Sequence, residues 1–393
     1  MVIPREAADP IRALVADYPV VAITGPRQSG KTTLARTLFA DLGYLSLEDP
    51  DVRQRAIDDP RAFLADCGEG AVLDEVQRVP ELFSYLQGAV DEDPRPGRFI
   101  LTGSQQFGLL AGITQSLAGR VALVPLLPFT LRELESCGNT PADLRALLYG
   151  GLFPPIHDRG LDPHVWCANY VQTYLERDVR QMLNVRDLRA FQLFLRMCAA
   201  RCGQLVNLSA LASDCGITHN TAKAWLSVLE ASYVVHLLPP HHANFSKRLV
   251  KTPKLYFHDP ALVSWLLGIR SPAELATHSM RGPLFETWVV SELLKARFNR
   301  GLTSNLFFWR DRAGLEIDVL VDRGVELVPV EIKSGRTLAS DSFGGLARWR
   351  ELAGDRAGAG WLVHGGDEEH SRDGCRALPW RGIDRLAADV LAR

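Results

Sequence analysis

Short apolar runs alternate with helical patterns over the first third of the chain. Candidate strands fall at Val20–Thr24, Tyr44–Leu47, Ala71–Leu73, Phe99–Thr102 and Val121–Val124. Most are continuous rather than alternating, the pattern of strands buried on both faces of a parallel sheet. Helical segments separate them, which predicts a doubly wound α/β unit. Beyond Pro125 and Pro128 the periodicity turns helical as far as about Leu205. Leu208, Leu211 and Ala212 then precede Gly216, and Ala222, Trp225, Leu226 and Leu229 follow it. The last four stand at i, i+3, i+4 and i+7, one helical face after a turn, which is a helix-turn-helix pattern. Two extended runs, Tyr233–Leu238 and Lys254–Phe257, are joined by a polar loop and read as the wing of a winged helix. Past Gly268 come a helix near Phe285–Leu294 and strands at Asn305–Trp309, Leu315–Val321 and Leu327–Lys333.

A chain of 393 residues has room for roughly two or three domains. Its 47% hydrophobic and 23% charged residues argue against wholesale disorder. With Lys+Arg 44 against Asp+Glu 46, the net charge of -2 provides no protein-wide basic field. Any nucleic-acid contact must therefore come from a local patch. No apolar run approaches the roughly 20 residues of a transmembrane helix. The start, MVIPREAADP, lacks an apolar signal core, so a cytoplasmic location without membrane contact is expected. Seven scattered cysteines do not form a disulfide framework, and Cys198 and Cys202 are expected as buried thiols rather than a zinc site.

The most specific signal is Gly25-Pro26-Arg27-Gln28-Ser29-Gly30-Lys31-Thr32, followed by Thr33. It is a complete G-x-x-x-x-G-K-[ST] that follows a predicted strand and opens a predicted helix. Its glycines let backbone N–H groups converge on phosphate oxygens, aided by the helix N-terminus. Lys31 is expected to reach the β- and γ-phosphates of ATP, and the Thr32 hydroxyl to ligate Mg²⁺. The strand AVL ends in Asp74 and Glu75. Asp74 is assigned to Mg²⁺ and Glu75 to orienting the attacking water. A third strand, ending in Thr102-Gly103-Ser104, is expected between the other two, with Ser104 or Thr102 as a polar sensor of the γ-phosphate. Arg120 and Arg177 are both candidates for an arginine supplied to the transferring phosphoryl group.

Between Arg201 and His258 there are six Lys or Arg against two acids, and five of the ten histidines fall there. Asn220, Thr221 and Lys223 lie off the apolar stripe of the second helix, where they can face a groove of DNA. Lys247, Arg248 and Lys251 sit where a wing would meet phosphates. The bland alternative is a helical lid whose helix-turn-helix only packs on the ATPase. Further on, Glu316 and Asp318 share one strand face, and Glu331 and Lys333 share one face of the next. Carboxylates on adjacent strands can chelate Mg²⁺, and a lysine two residues on can orient water or stabilise a pentavalent phosphate. Glu286 on the preceding helix is a further acid, with Glu292 as its substitute.

The chain resembles bacterial and archaeal AAA-type ATPases that carry a C-terminal domain of unknown function with a restriction-endonuclease-like core. The matching stretches include GPRQSGKTTLAR, VLDEVQRVPELF, ILTGSQQF, LAGRVALVPLLPFTLRE, YLERDV, KRLVKTPKLYFHD, LFETWVVSELLK, FWRDRAGLEIDVLV and VPVEIKSG. The resemblance implies that Glu286, Asp318, Glu331 and Lys333 match the PD-(D/E)xK nuclease pattern, with Glu-Ile-Asp in place of a plain Pro-Asp. It also places Ser104 at the sensor position.

The expected fold class is therefore α/β. A P-loop ATPase parallel sheet over 1–140 would be followed by a helical lid at 141–200, a winged helix at 201–275 and a restriction-endonuclease-like domain at 276–393. The expected activity is ATP hydrolysis with Mg²⁺, coupled to DNA binding and to remodelling, branch migration or cleavage. A homo-oligomer is expected, with an arginine of one subunit completing its neighbour's site. The alternative is a nucleotide-gated switch or scaffold that acts on a protein partner.

Overall fold

The structure, a computed structural model, describes residues 3–104, 113, 116–175, 187–241, 251–339, 342–372 and 374–391. The chain divides into two compact units. The first contains Met1–Phe129 with two short returns, Ala231–Tyr233 and Phe298–Thr303. The second contains Thr130–Glu230, Val234–Arg297 and Ser304–Arg393.

In the first unit five strands form an all-parallel sheet: β1 (Val20–Thr24), β2 (Gly43–Ser46), β3 (Ala71–Asp74), β4 (Phe99–Gly103) and β5 (Val121–Pro125). Their spatial order is β2-β3-β4-β1-β5, so β4 lies between β3 and β1 as the sequence predicts. The continuous apolar runs follow from cores on both faces. Val20 and Ala22 of β1 join Leu73, Leu101, Phe83 and Leu86 on one side. Val21 and Ile23 join Val72, Ile100, Ile11 and Leu34 on the other. Successive side chains of a strand point to opposite faces, so a strand covered on both must be apolar at every position.

In the second unit the helices Leu208–Asp214 and His219–Ala231 meet at Gly216, whose φ of 65° suits a residue without a side chain. Asn207 caps the first by accepting from Ala210 N, and Ala222, Trp225, Leu226 and Leu229 of the second are buried. An antiparallel ribbon follows, β6 (Val235–Leu238) and β7 (Lys254–Phe257), in the register Val235↔Phe257. The strand expected from Tyr233 begins only at Val235, because Tyr233 has φ 55° and belongs to the first unit.

The rest of this unit is a mixed six-stranded sheet in the order β12-β13-β11-β10-β9-β8. The strands are β8 (Leu306–Arg310), β9 (Glu316–Asp322), β10 (Leu327–Lys333), β11 (Gly360–His364), β12 (His370–Arg372) and β13 (Cys375–Pro379). The first three form an antiparallel meander, while β10, β11 and β13 run parallel. The strict alternation expected along β9 does not hold. Phe307 pairs with Leu320 but Trp309 with Ile317, so β9 carries an extra residue. This irregularity turns both Ile317 and Leu320 into one core with Trp309, Leu346 and Trp349. It also falls at Asp318, since a bulge re-aims the side chain it contains. The preceding helix runs Arg281–Phe298, longer than expected at both ends. All seven cysteines are free, with Cys198 and Cys202 buried.

Leu101 in β4 is 0% exposed at the centre of the first sheet. Leu101→Ala should lower the unfolding free energy of the first unit by about 2–5 kcal/mol, measured by urea titration. An unchanged midpoint would contradict the two-faced core.

Candidate functional site

The phosphate loop turns directly out of β1. Gly25 has φ 143° and Gly30 φ 93°, and a Cβ on Gly25 would strike the carbonyl of Leu126. Gly30 precedes the helix Lys31–Leu38, whose free N–H groups open toward the loop. Pro26 and Ser29 are buried, Arg27 and Gln28 half-buried, and Thr33 exposed. The Ser29 hydroxyl is buried without a hydrogen-bond partner. Lys31 is buried, and its ammonium donates to Gly25 O (3.0 Å) and Pro26 O (2.7 Å). Burial lowers its pKa to about 8, against the opposing pull of Glu75 and Asp74 and with a small push from Arg27.

Asp74, at the end of β3, is the centre of this site. Its carboxylate accepts from Thr32 Oγ1 (3.0 Å), from Tyr44 OH (2.7 Å) and from Thr102 Oγ1. Glu75 has φ 55°, a costly conformation for a residue with a side chain. Its Oε2 accepts from Ser104 Oγ at 3.0 Å and Gln77 Nε2 at 2.5 Å. Both sensor candidates therefore reach the acids: Thr102 contacts Asp74 and Ser104 contacts Glu75. Thr32 and Asp74 can share one cation, which fits Mg²⁺, and Glu75 stands beside them at the strand end.

Three residues without a sequence signal complete this site. The Arg5 guanidinium is buried over the Phe129 ring and donates to Ser29 O and Leu127 O, each at 2.7 Å. Tyr44 holds Asp74, and its phenol is raised in pKa by burial and by that carboxylate. Tyr233 OH lies 2.8 Å from Thr24 Oγ1, the residue immediately before the loop.

Arg120 stands elsewhere. Its carbonyl accepts from Val20 N at the start of β1, whereas Gly25 follows that strand's end, and its guanidinium pairs with Asp91 at 2.5 Å. Arg177 lies outside the described residues.

Within the second unit, Asn220 and Lys223 are exposed on the helix His219–Ala231, and Thr221 is half-buried beside Thr218. Of the three, Lys223 lines an open groove of about 690 Å³, with Asn207, Leu208, His219, Leu226 and Thr252 among its other walls. Lys251 is exposed, while Lys247 and Arg248 lie outside the described residues. His258 is buried and His236 half-buried, and burial lowers the pKa of both, that of His236 to about 4.

The C-terminal acids do come together, around a lysine that was not assigned to them. Lys254 of β7 places its ammonium 3.1 Å from Glu286, 2.5 Å from Glu316 and 4.0 Å from Asp318. Lys333 pairs with Glu331 at 2.7 Å, and Asp318 accepts from Ile332 N at 2.8 Å. Burial and the Asp318 charge push Glu286 to about 7 and Glu331 to about 8. Burial alone would lower Lys254, but Glu286, Asp318 and Glu316 outweigh it and raise its pKa. Glu292 is not a substitute for Glu286, because it is held by Lys295 (2.8 Å) and Leu131 N (3.0 Å). Among the described residues, no group of three or more His, Cys, Asp or Glu is placed to hold a metal ion. No helix among them is long and apolar enough to cross a membrane.

Three family matches follow one another along the chain. Residues 17–135 match an AAA domain, 141–273 the domain of unknown function DUF8612, and 281–383 the domain of unknown function DUF4143. Uncharacterized proteins of Mycobacterium tuberculosis and Mycobacterium bovis are each 36% identical over 338 residues, spanning 85% of this chain and 74% of theirs. Among solved structures, a Walker-type ATPase of Pyrococcus abyssi is 17% identical with a TM-score of 0.47, covering 67% of this chain and 96% of that one. RuvB of Thermotoga maritima is 20% identical with a TM-score of 0.28, covering 60% and 86%.

Glu75→Gln should retain ATP binding while hydrolysis falls about 10²–10⁴-fold, seen in single-turnover assays beside a binding titration. Normal turnover would remove Glu75 as the water-orienting group. Lys31 carries its charge below about pH 8 and loses it as pH rises. The value of kcat/KM for ATP, which reports the free enzyme, should therefore decline above that pH. A profile flat to pH 10 would show that the ammonium is not perturbed.

Proposed function

The chain belongs to the family of these mycobacterial proteins, and since it matches an AAA domain followed by two domains of unknown function, we propose that its AAA-type ATPase drives a DNA-binding remodelling activity. The ATPase half of this reading rests on the constellation of Lys31, Thr32, Asp74, Glu75 and Ser104. Backbone N–H groups from Gly25 to Thr33 would cradle the phosphates of ATP, and Lys31 would exchange its loop carbonyls for the β- and γ-phosphate oxygens. Thr32 and Asp74 are the residues that would hold Mg²⁺, whose chemistry here is to neutralise charge on the phosphates. Glu75, steadied by Ser104, would orient the attacking water.

The observation that supports DNA as the partner is the outer side of the helix His219–Ala231. Its apolar face is buried, while Asn220 and Lys223 stay exposed, Lys223 at an open groove. With the ribbon β6–β7 behind it, we read this element as a winged helix. Asn220, Thr221, Lys223 and Lys251, together with Lys247 and Arg248, are its proposed DNA contacts. The sheet β8–β13 and the helix Arg281–Phe298 are read as the restriction-endonuclease-like domain. The functional division into 1–140, 141–200, 201–275 and 276–393 is part of the same proposal. Arg120 is some five strand residues, roughly 16 Å, from its own phosphate loop. As a finger it would serve a neighbouring copy, hence a homo-oligomer.

A second reading is a nucleotide-gated switch acting on a protein partner. It is favoured by a C-terminal carboxylate cluster already paired with Lys254, Lys333 and Arg310.

ATPase rate and DNA affinity, measured with single-stranded, duplex and four-way DNA across a salt series, separate the two. DNA remodelling predicts stimulated turnover and affinity that falls steeply with salt. Lys223→Ala should weaken binding and reduce the salt slope by about 1. An active ATPase that binds none of these DNAs at low salt would leave the protein-partner switch.

A further inference from the structure

The restriction-endonuclease-like reading implies a divalent metal between Asp318, Glu331 and Glu286, and the residues present do not fit one. A magnesium ion takes oxygen ligands at about 2.0–2.1 Å in near-octahedral order. Here the Lys254 ammonium already donates to Glu286 and Glu316, at 3.1 and 2.5 Å, and stands 4.0 Å from Asp318. Its side chain is only 4% exposed and lies over the Phe308 ring at 5.6 Å. Tyr256, also on β7, donates to the same Glu286 oxygen. Arg310 takes the second oxygen of Glu316 at 3.2 Å. One Asp318 oxygen is committed to Ile332 N, and Glu331 Oε1 to Lys333. Glu331 Oε2 is buried without a partner, and the other Asp318 oxygen faces the Lys254 ammonium at 4.0 Å, so the oxygens a metal would need look onto a cation already in place.

We propose that Lys254 is the resident cation of this cluster, standing where a divalent metal would have to bind, so that the nuclease-like domain is held in a metal-free, non-cleaving form. The inference rests on the restriction-endonuclease-like reading of the domain. A compact ammonium suits the position, because it carries one charge and three donors into a space bounded by three carboxylates. A dication could enter only by driving that ammonium out, since two cations a few ångströms apart repel strongly away from bulk water. Conversely, taking the ammonium away would leave several carboxylates facing one another in a buried place, an arrangement that invites a metal. Lys254 is the first residue of β7, which makes the plug part of the ribbon rather than of the nuclease-like sheet.

The test uses nucleotide-free, full-length protein titrated with Mn²⁺ by calorimetry. Four forms are compared: wild type, Asp318→Asn, Lys254→Met and the double variant. Wild type and Asp318→Asn should give the same isotherm, since any weak binding at Asp74 is common to both. Lys254→Met should bind one further Mn²⁺ at least about tenfold more tightly than wild type, and the double variant should lose it. A Mn²⁺ site in wild type that Asp318→Asn removes would overturn the proposal. So would a Lys254→Met protein with native circular dichroism that binds no additional ion. If Lys254→Met does not fold, the comparison of wild type with Asp318→Asn decides alone, identity sustaining the proposal and a difference ending it. Neither ATP hydrolysis nor DNA affinity enters the readout, so failure here is distinct from failure of the remodelling function.

Discussion

The carboxylate of Asp74 accepts hydrogen bonds from Thr32, Tyr44 and Thr102, and these three bonds join the phosphate-loop helix, β2 and β4 to the end of β3. A buried carboxylate without donors would be expensive, so each hydroxyl both satisfies the charge and fixes an element. The sheet order makes this possible. Because β4 lies between β3 and β1, the acids and the sensor hydroxyls arrive at the same edge as the loop. The loop is held from behind as well, by Arg5 on the Ser29 carbonyl and by Tyr233 on Thr24. Nucleotide binding would therefore act on a frame already assembled. Lys31 and Thr32 would have to exchange protein partners for phosphate and Mg²⁺, which is a change of ligands rather than of fold.

The second unit solves a charge problem in the opposite way. Four carboxylates, Glu286, Glu316, Asp318 and Glu331, are drawn together and matched by Lys254, Lys333 and Arg310. Buried ion clusters contribute little net stability, but removing one member leaves the others uncompensated. Such an arrangement fixes geometry more than it adds free energy. It ties β7 to the helix Arg281–Phe298 and to β9, all within one unit. The residues look like a metal site in one dimension and behave as a salt-bridge network in three.

Tyr233 is one of the short returns of the chain to the first unit. It follows the helix His219–Ala231 directly and precedes β6, yet its own φ of 55° and its hydroxyl bond belong to the nucleotide-binding unit. A non-glycine residue held in the left-handed region is paid for by its surroundings, and such positions gather where function is concentrated. Glu75 carries the same kind of backbone and stands at the end of β3, beside Asp74.

What could be read along the chain was whatever is local. The phosphate loop is eight contiguous residues, and glycines stand at two of its three positive-φ positions, the third being Gln28. The five strands of the first sheet formed within a residue of their expected ends, because burial on both faces writes itself as an unbroken apolar run. Strands β11 to β13 and the full length of the helix Arg281–Phe298 went unread. Their boundaries are set by packing against the rest of the sheet, not by period or caps. The alternation of β9 misled for a related reason: one extra residue shifts the faces, and only the register with β8 reveals it. Arg5, Tyr44, Tyr233 and Lys254 left no trace in motif spacing. Each reaches a partner 24 to 209 residues away, and a polar side chain carries no mark in sequence of the distant group that will desolvate and bind it. The sequence by itself determined the nucleotide chemistry. Only the tertiary structure decided which cation the C-terminal carboxylates hold, because proximity between distant side chains exists only once the sheet has formed.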